Sequence, residues 1–226
     1  MGSKWCGMTR RGVIVILIAA TAPAARANVA VEKKPVTVEH KTFDPAHPPK
    51  QMPPLDHGES AVTESLFNCR VELVYRGGDR KRGADGCESS LLVQGVHAEL
   101  QLRVIIWLPE GAPPKLNAHE EGHRQIAERI YRDAEKIARE VGKALDGRTI
   151  TGSGDTCAEA ERHATRDGAE RFCRAYLDRT AVASGKINDV YDDLTHHGTK
   201  ADPEEAEAIR QAFEKYDQQT KPPRRN

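Results

Sequence analysis

Ala118-His119-Glu120-Glu121-Gly122-His123-Arg124-Gln125-Ile126-Ala127 is the stretch on which the reading of this chain turns. His119-Glu120-Glu121-Gly122-His123 is an H-E-x-x-H sequence, and residues four apart on an α-helix stack on one face. Two imidazoles at that spacing can reach a single Zn2+ at about 2.0–2.1 Å. Glu120 lies roughly 100° round the helix from His119. From there its carboxylate can take a proton from activated water and deliver it to a leaving amine without binding the metal. Ile126, Ile130, Ala134, Ile137, Val141 and Leu145 follow at three- and four-residue steps. The spacing predicts a helix from about Asn117 to Leu145, stopped by Asp146-Gly147. Both histidines extend its apolar stripe, so they are expected to face inward.

Upstream, Leu100, Leu102, Val104, Ile106 and Leu108 alternate with Gln101 and Arg103 until Pro109, the period of a strand. This zone begins near Leu91, and a second one contains Val62, Leu66, Val71, Leu73 and Tyr75. The β-branched end, Val104 to Leu108, is expected at a sheet edge, where an extended peptide can add as a further strand. Residues 28–58 carry Pro35, Pro45, Pro48, Pro49, Pro53 and Pro54 and read as an extended lead-in. Downstream, a linker from Thr149 to Asp155 leads to a helical zone from about Thr156 to Thr195, punctuated by Gly168 and Ser184-Gly185. A last helix starts at Asp202-Pro203, with Glu205 completing an Asp-x-x-Glu cap. These elements predict one α+β domain over 59–219 and a disordered tail at 220–226. Its parts are a small antiparallel sheet, an active-site helix beneath it and a helical C-terminal half.

Met1 to Ala27 reads as a secretory leader. Lys4, Arg10 and Arg11 precede the apolar run Val13 to Ala20, and Ala25-Arg26-Ala27 has the small-x-small pattern of a cleavage site. The run is too short for a stable membrane-spanning helix, and no later stretch is apolar enough to be one. Cleavage takes Lys4, Arg10, Arg11 and Arg26 with it and leaves the remainder mildly acidic. That balance argues against a nucleic-acid footprint. A periplasmic or secreted protein is expected, and nothing in the sequence speaks to its oligomeric state. Cys69, Cys87, Cys157 and Cys173 remain, an even number suited to an oxidising compartment. The Gly-rich stretch between Cys69 and Cys87 favours a bridge between those two, which leaves Cys157–Cys173. A straight helix would hold the latter pair roughly 24 Å apart, so this pairing requires a break, most obviously at Gly168.

Catalytic zinc usually takes three protein ligands and keeps a position for water. The remaining candidates lie in Asn188-Asp189-Val190-Tyr191-Asp192-Asp193-Leu194-Thr195-His196-His197-Gly198. If this segment is helical throughout, Ile187, Val190, Tyr191 and Leu194 mark its buried side. His197 then falls within about 70° of the centre of that side, while His196 and Asp192 point away. His197 is the expected third ligand, with Asp192 and Asp193 as carboxylate alternatives. Tyr191 is either a donor to the oxyanion of the tetrahedral intermediate or a core tyrosine.

His119 to His123 continuing into Arg124-Gln125-Ile126-Ala127, with Tyr191-Asp192-x-x-Thr195-x-His197-Gly198 downstream, resembles a bacterial secreted zinc-dependent protease family, domain of unknown function 922. Gly58-Glu59-Ser60-Ala61, the following Thr63-Glu64 and the strand end Leu108-Pro109 are similar too. The resemblance runs from about Gly58 to Gly198. It implies a zincin-like peptidase with His119, His123 and His197 as ligands. The residues themselves lead to the same expectation: a secreted zinc metallopeptidase acting on peptides or proteins, with Glu120 as general base. The alternative is a non-catalytic zinc-binding envelope protein that docks partners through its Pro-rich lead-in and its charged last helix.

Overall fold

β4 (Gly86–Pro109) is the spine of the sheet. Val96, Ala98, Leu100, Leu102, Val104 and Ile106 are all buried in one core, the period-two pattern of a strand's core face. Towards the strand end Ile105 and Trp107 are buried on the opposite face with Phe43. Leu91 and Val93 share that core despite their odd parity. β3 (Val62–Gly83) pairs Val74 with Gly95 and Tyr75 with Val93, passing over Gln94. This one-residue bulge resets which side chains face the core. The structure, a computed structural model, describes residues 28–55, 58–200 and 202–220. The expected leader at 1–27 and residues 221–226 of the expected tail lie outside the described residues, and Thr220 ends the last helix.

β3 runs antiparallel along one side of β4. Three short strands occupy the other side in succession. β5 (Thr149–Gly154) pairs antiparallel with Cys87–Leu92, β1 (Asn28–Lys33) parallel with Gly95–Leu100, and β2 (Thr37–Phe43) parallel with Arg103–Pro109. The class is α+β, but the antiparallel sheet of the sequence reading is corrected to a mixed one. Two of its strands come from the lead-in. β2 exposes most of its residues and buries only Phe43, so it carries almost no apolar alternation to announce it. β4 is also paired on both sides, so Val104–Leu108 is no edge. Among the described residues, β3 pairs on one side only.

α1 (Pro114–Arg132), α2 (Ala134–Leu145), α3 (Cys157–Asp178), α4 (Ala181–Thr195) and α5 (Glu205–Thr220) supply most of the remaining core residues, among them Ile126, Ala138, Phe172, Ile187 and Ala212. The helix expected over 117–145 is two helices, because the N–H of Asp133 turns back to the carbonyls of Ile130 and Tyr131. α3 passes unbroken through Gly168, and Ser184-Gly185 lie inside α4. The break falls between them at Arg179-Thr180, where the buried Thr180 hydroxyl donates to Tyr176 O at 2.9 Å. The last helix starts at Glu205 rather than at Asp202.

The disulfides are Cys69–Cys173 and Cys87–Cys157, with Cα–Cα distances of 5.6 and 5.0 Å. Both pairings expected from sequence are therefore corrected. Cys69 stands opposite Leu100 in the β3–β4 hairpin, whereas Cys87 opens β4. At about 3.3 Å per residue those positions are on the order of 40 Å apart along the strand. The unbroken α3 separates its own two cysteines equally firmly, so each bonds to the sheet beside it.

Candidate metal centre

α1 begins after the turn at Pro109–Pro113, with Pro114 in its first turn, where a missing N–H costs nothing. His119 and Glu120 follow one turn later, each only 3% exposed. α4 packs against this end of α1 with Asn188, Tyr191, Asp192 and Thr195, an i, i+3, i+4, i+7 stripe along one side. The approach is close because position 122 is glycine. A Cβ there would lie 2.1 Å from the Tyr191 hydroxyl. The Tyr191 ring stacks on His119 at 5.0 Å and meets His123 edge-on at 5.1 Å. Gly198, at φ +73°, closes over the other side of His119, where a Cβ would come within 2.7 Å of the His119 Cβ.

Hydrogen bonds set both imidazole tautomers. His123 Nδ1 lies 3.1 Å from the carboxamide oxygen of Asn188 and donates to it. The Thr195 hydroxyl donates to Tyr191 O at 2.8 Å, which leaves its oxygen to accept from His119 Nδ1 at 3.4 Å. With both Nδ1 atoms protonated, both Nε2 atoms carry lone pairs. These are 3.1 Å apart, and Asp192 Oδ1 lies 3.2 Å from His119 Nε2 and 3.1 Å from His123 Nε2. Asp192 Oδ1 is buried and has no hydrogen-bond partner despite that proximity. With both imidazoles neutral, three electron-rich atoms crowd one point. Ligands about 2.0–2.1 Å from a tetrahedral centre sit about 3.3 Å from one another. The donor set and the spacing fit a zinc-type ion, and the outer hydrogen bonds are those that orient metal-bound histidines.

Glu120 has a ligand-capable oxygen within 4.8 Å of both imidazole nitrogens. Its Oε2 accepts from the Thr63 hydroxyl on β3 at 2.7 Å. Burial pushes the Glu120 carboxyl up, an effect only partly offset by His123 and the Thr63 bond. Burial acts on Asp192 in the same sense, but in their protonated form the two imidazoles outweigh it and hold that carboxyl well below its usual range. Against the burial of its ring, His123 is in turn pushed up by Asp192. One carboxyl is therefore tuned toward holding a proton and its neighbour toward staying charged.

The structure brings His119, Glu120, His123 and Asp192 together and places His197 one step outside. α4 ends at Thr195, and His196 and His197 take left-handed φ values of 49° and 52°. The helical step that pointed His197 inward does not extend to it. Its Nδ1, buried and without a hydrogen-bond partner, is 3.9 Å from Asp192 Oδ1 and 3.8 Å from Glu59 Oε1. Asp193 and His196 are exposed. Tyr191 is fully buried, and its hydroxyl faces His119 O at 3.4 Å. The phenol thus serves the backbone of α1, and burial pushes its pKa up. Sequence reasoning did not single out Thr63, Asn188 or Thr195 as partners of the site. The α4 stripe was a readable signal for the latter two, whereas Thr63 reaches Glu120 only through sheet-to-helix packing.

No protein-family model, curated protein or solved structure matches this chain.

Proposed function

We propose that the chain is a secreted or periplasmic zinc-dependent peptidase, with His119, His123 and Asp192 holding the metal and Glu120 as general base. The observation that carries this reading is the convergence of two Nε2 lone pairs and an unpartnered carboxylate oxygen at 3.1–3.2 Å. When bound there, a zinc ion supplies Lewis-acid activation of water and of a carbonyl group. Glu120 accepts the water's proton on its carboxylate, and Thr63 fixes that carboxylate's direction. The same carboxyl returns the proton to the departing amine. Asn188 and Thr195 keep the imidazoles in the metal-binding tautomer. β3 starts at Val62, next to Thr63, and among the described residues is paired with β4 on one side only. An extended substrate adding to its open side would run past Glu120.

Two disulfides and the absence of any described helix long and apolar enough to cross a membrane agree with the proposed compartment. The test pairs zinc analysis with hydrolysis of a mixed peptide library. The wild-type protein should carry one zinc and cleave peptides. Glu120→Ala should keep the zinc and lose about 10²–10⁴-fold in rate. Protein that neither carries nor accepts zinc would end the proposal.

A non-catalytic zinc protein is the second reading. It is favoured by Glu59 and His197, whose ligand atoms lie within 4.8 Å of that of Asp192 and of each other. Either side chain, moved onto the metal, would give four protein ligands and displace reactive water. Stoichiometric zinc with no cleavage of any peptide would select this reading.

A further inference from the structure

We propose that a cleft adjoining the metal centre through Glu59 is the substrate-selecting subsite, and that it takes bulky apolar side chains of an extended peptide. The inference rests on the peptidase reading above and names its substrate class. The cleft, about 680 Å3, is walled by Phe43, Met52, Leu55 and Ser60, by six prolines, and by the charged pair Lys50 and Glu59. That volume falls within the ordinary range of ligand pockets, roughly 300–1,000 Å3. It exceeds one side chain, so it can accept more than one residue of a bound chain.

Three features point to this occupant. The first is the floor: Phe43, Met52 and Leu55 line the cleft and belong to a small cluster of their own, in which Phe43 is buried with Ile105 and Trp107. The cleft is therefore seated on β2 and β4 and is independent of the main core. The second is the wall. Proline locks φ near −65°, so a proline-built rim loses little conformational freedom when a ligand enters and is already shaped to receive one. The third is continuity. Glu59 lines the cleft, and its Oε1 is 3.8 Å from His197 Nδ1, which is 3.9 Å from the metal-facing Asp192 oxygen. From Glu59 the chain runs through Ser60 and Ala61 to Thr63, the residue that holds Glu120. A peptide lying across the metal centre meets this cleft within a few residues of the bond to be cleaved. Among the described residues, Lys50 and Glu59 are the charged ones in a lining otherwise dominated by apolar side chains, so the cleft rewards apolar side chains and penalises the burial of charged ones.

The experiment uses the zinc-loaded protein and three fluorescein-labelled hexapeptides of Gly-Ser background. Their centres are Phe-Leu, Gly-Ser and Glu-Glu. Binding is followed by fluorescence anisotropy and cleavage by mass spectrometry. Met52→Glu places a charge inside the cleft, and Ser60→Trp obstructs it from an exposed position that the fold tolerates. The Phe-Leu peptide should bind at least about tenfold more tightly than the other two, and each variant should shrink that ratio to within about twofold. Equal binding of the three peptides, or a preference that survives both variants, overturns the inference. Apolar preference in binding with no cleavage of any peptide sinks the peptidase reading and supports the subsite. Cleavage of all three at equal rates does the reverse. A concentration-dependent dimer abolished by Ser60→Trp would assign the cleft to a second copy of the chain, and the proposal falls.

Discussion

Tyr191 and His119 lie ring on ring, 5.0 Å between centroids and 9° from parallel, with the phenol seated where a side chain at position 122 would otherwise be. The first histidine of the H-E-x-x-H sequence is thus held in place by a residue of α4, and the glycine inside that sequence makes this contact possible.

Gly122→Ala tests that relationship. On an isolated helix the change would stabilise by about 1 kcal/mol. Here the new methyl collides with the Tyr191 ring, and an overpacking cost of about 1–3 kcal/mol less that gain leaves a net loss of up to about 2 kcal/mol in urea unfolding. Zinc affinity should fall with it, because His119 loses its support. A stabilised Gly122→Ala protein would mean that α1 and α4 do not approach this closely.

The third ligand can be decided by competition titration with a zinc chelator. Asp192→Ala should weaken zinc by more than the roughly 10–100-fold that changes around a ligand cost. Asn188→Ala should fall within that range, since it removes only the acceptor for His123 Nδ1. His197→Ala should stay within about tenfold of wild type. If His197→Ala abolishes binding and Asp192→Ala does not, the two residues exchange roles.

In the proposed reaction Thr63 acts through Glu120, to which its hydroxyl donates. Thr63→Val preserves shape but removes the 2.7 Å bond to Oε2, and should lower kcat by about tenfold or more. KM and zinc content should change little, and Thr63→Ser should restore most of the rate. A drop that appears in KM alone, or that serine does not rescue, would show that this hydroxyl does not position the base.

The disulfides give a prediction independent of zinc. Non-reducing peptide mapping should recover Cys69 with Cys173 and Cys87 with Cys157. Replacing either pair with serine should destabilise the fold by about 2–5 kcal/mol. Recovery of Cys69 with Cys87 would contradict the placement of α3 on the sheet.

The sequence by itself determined what depends on neighbours along the chain. The i, i+4 spacing put His119 and His123 on one face of α1, Glu120 fell beside them, and the alternation from Leu100 to Ile106 marked the core face of β4. Each of these follows from a helical or extended repeat acting over a few residues. Tertiary structure decided the rest. Asp192 reaches the two imidazoles because α4 docks across Gly122, and His197 stands aside because α4 ends at Thr195; which helix the α4 stripe meets is a matter of packing that the stripe itself does not contain. Cys69 meets Cys173, 104 residues away, because a continuous α3 lies beside β3. β1 and β2 join β4 in parallel through backbone hydrogen bonds, which draw on no particular side chains and so leave little trace in residue pattern. Local repeats are written in residue order, whereas long-range partners are chosen by which buried surfaces and backbone groups satisfy one another once the chain is folded.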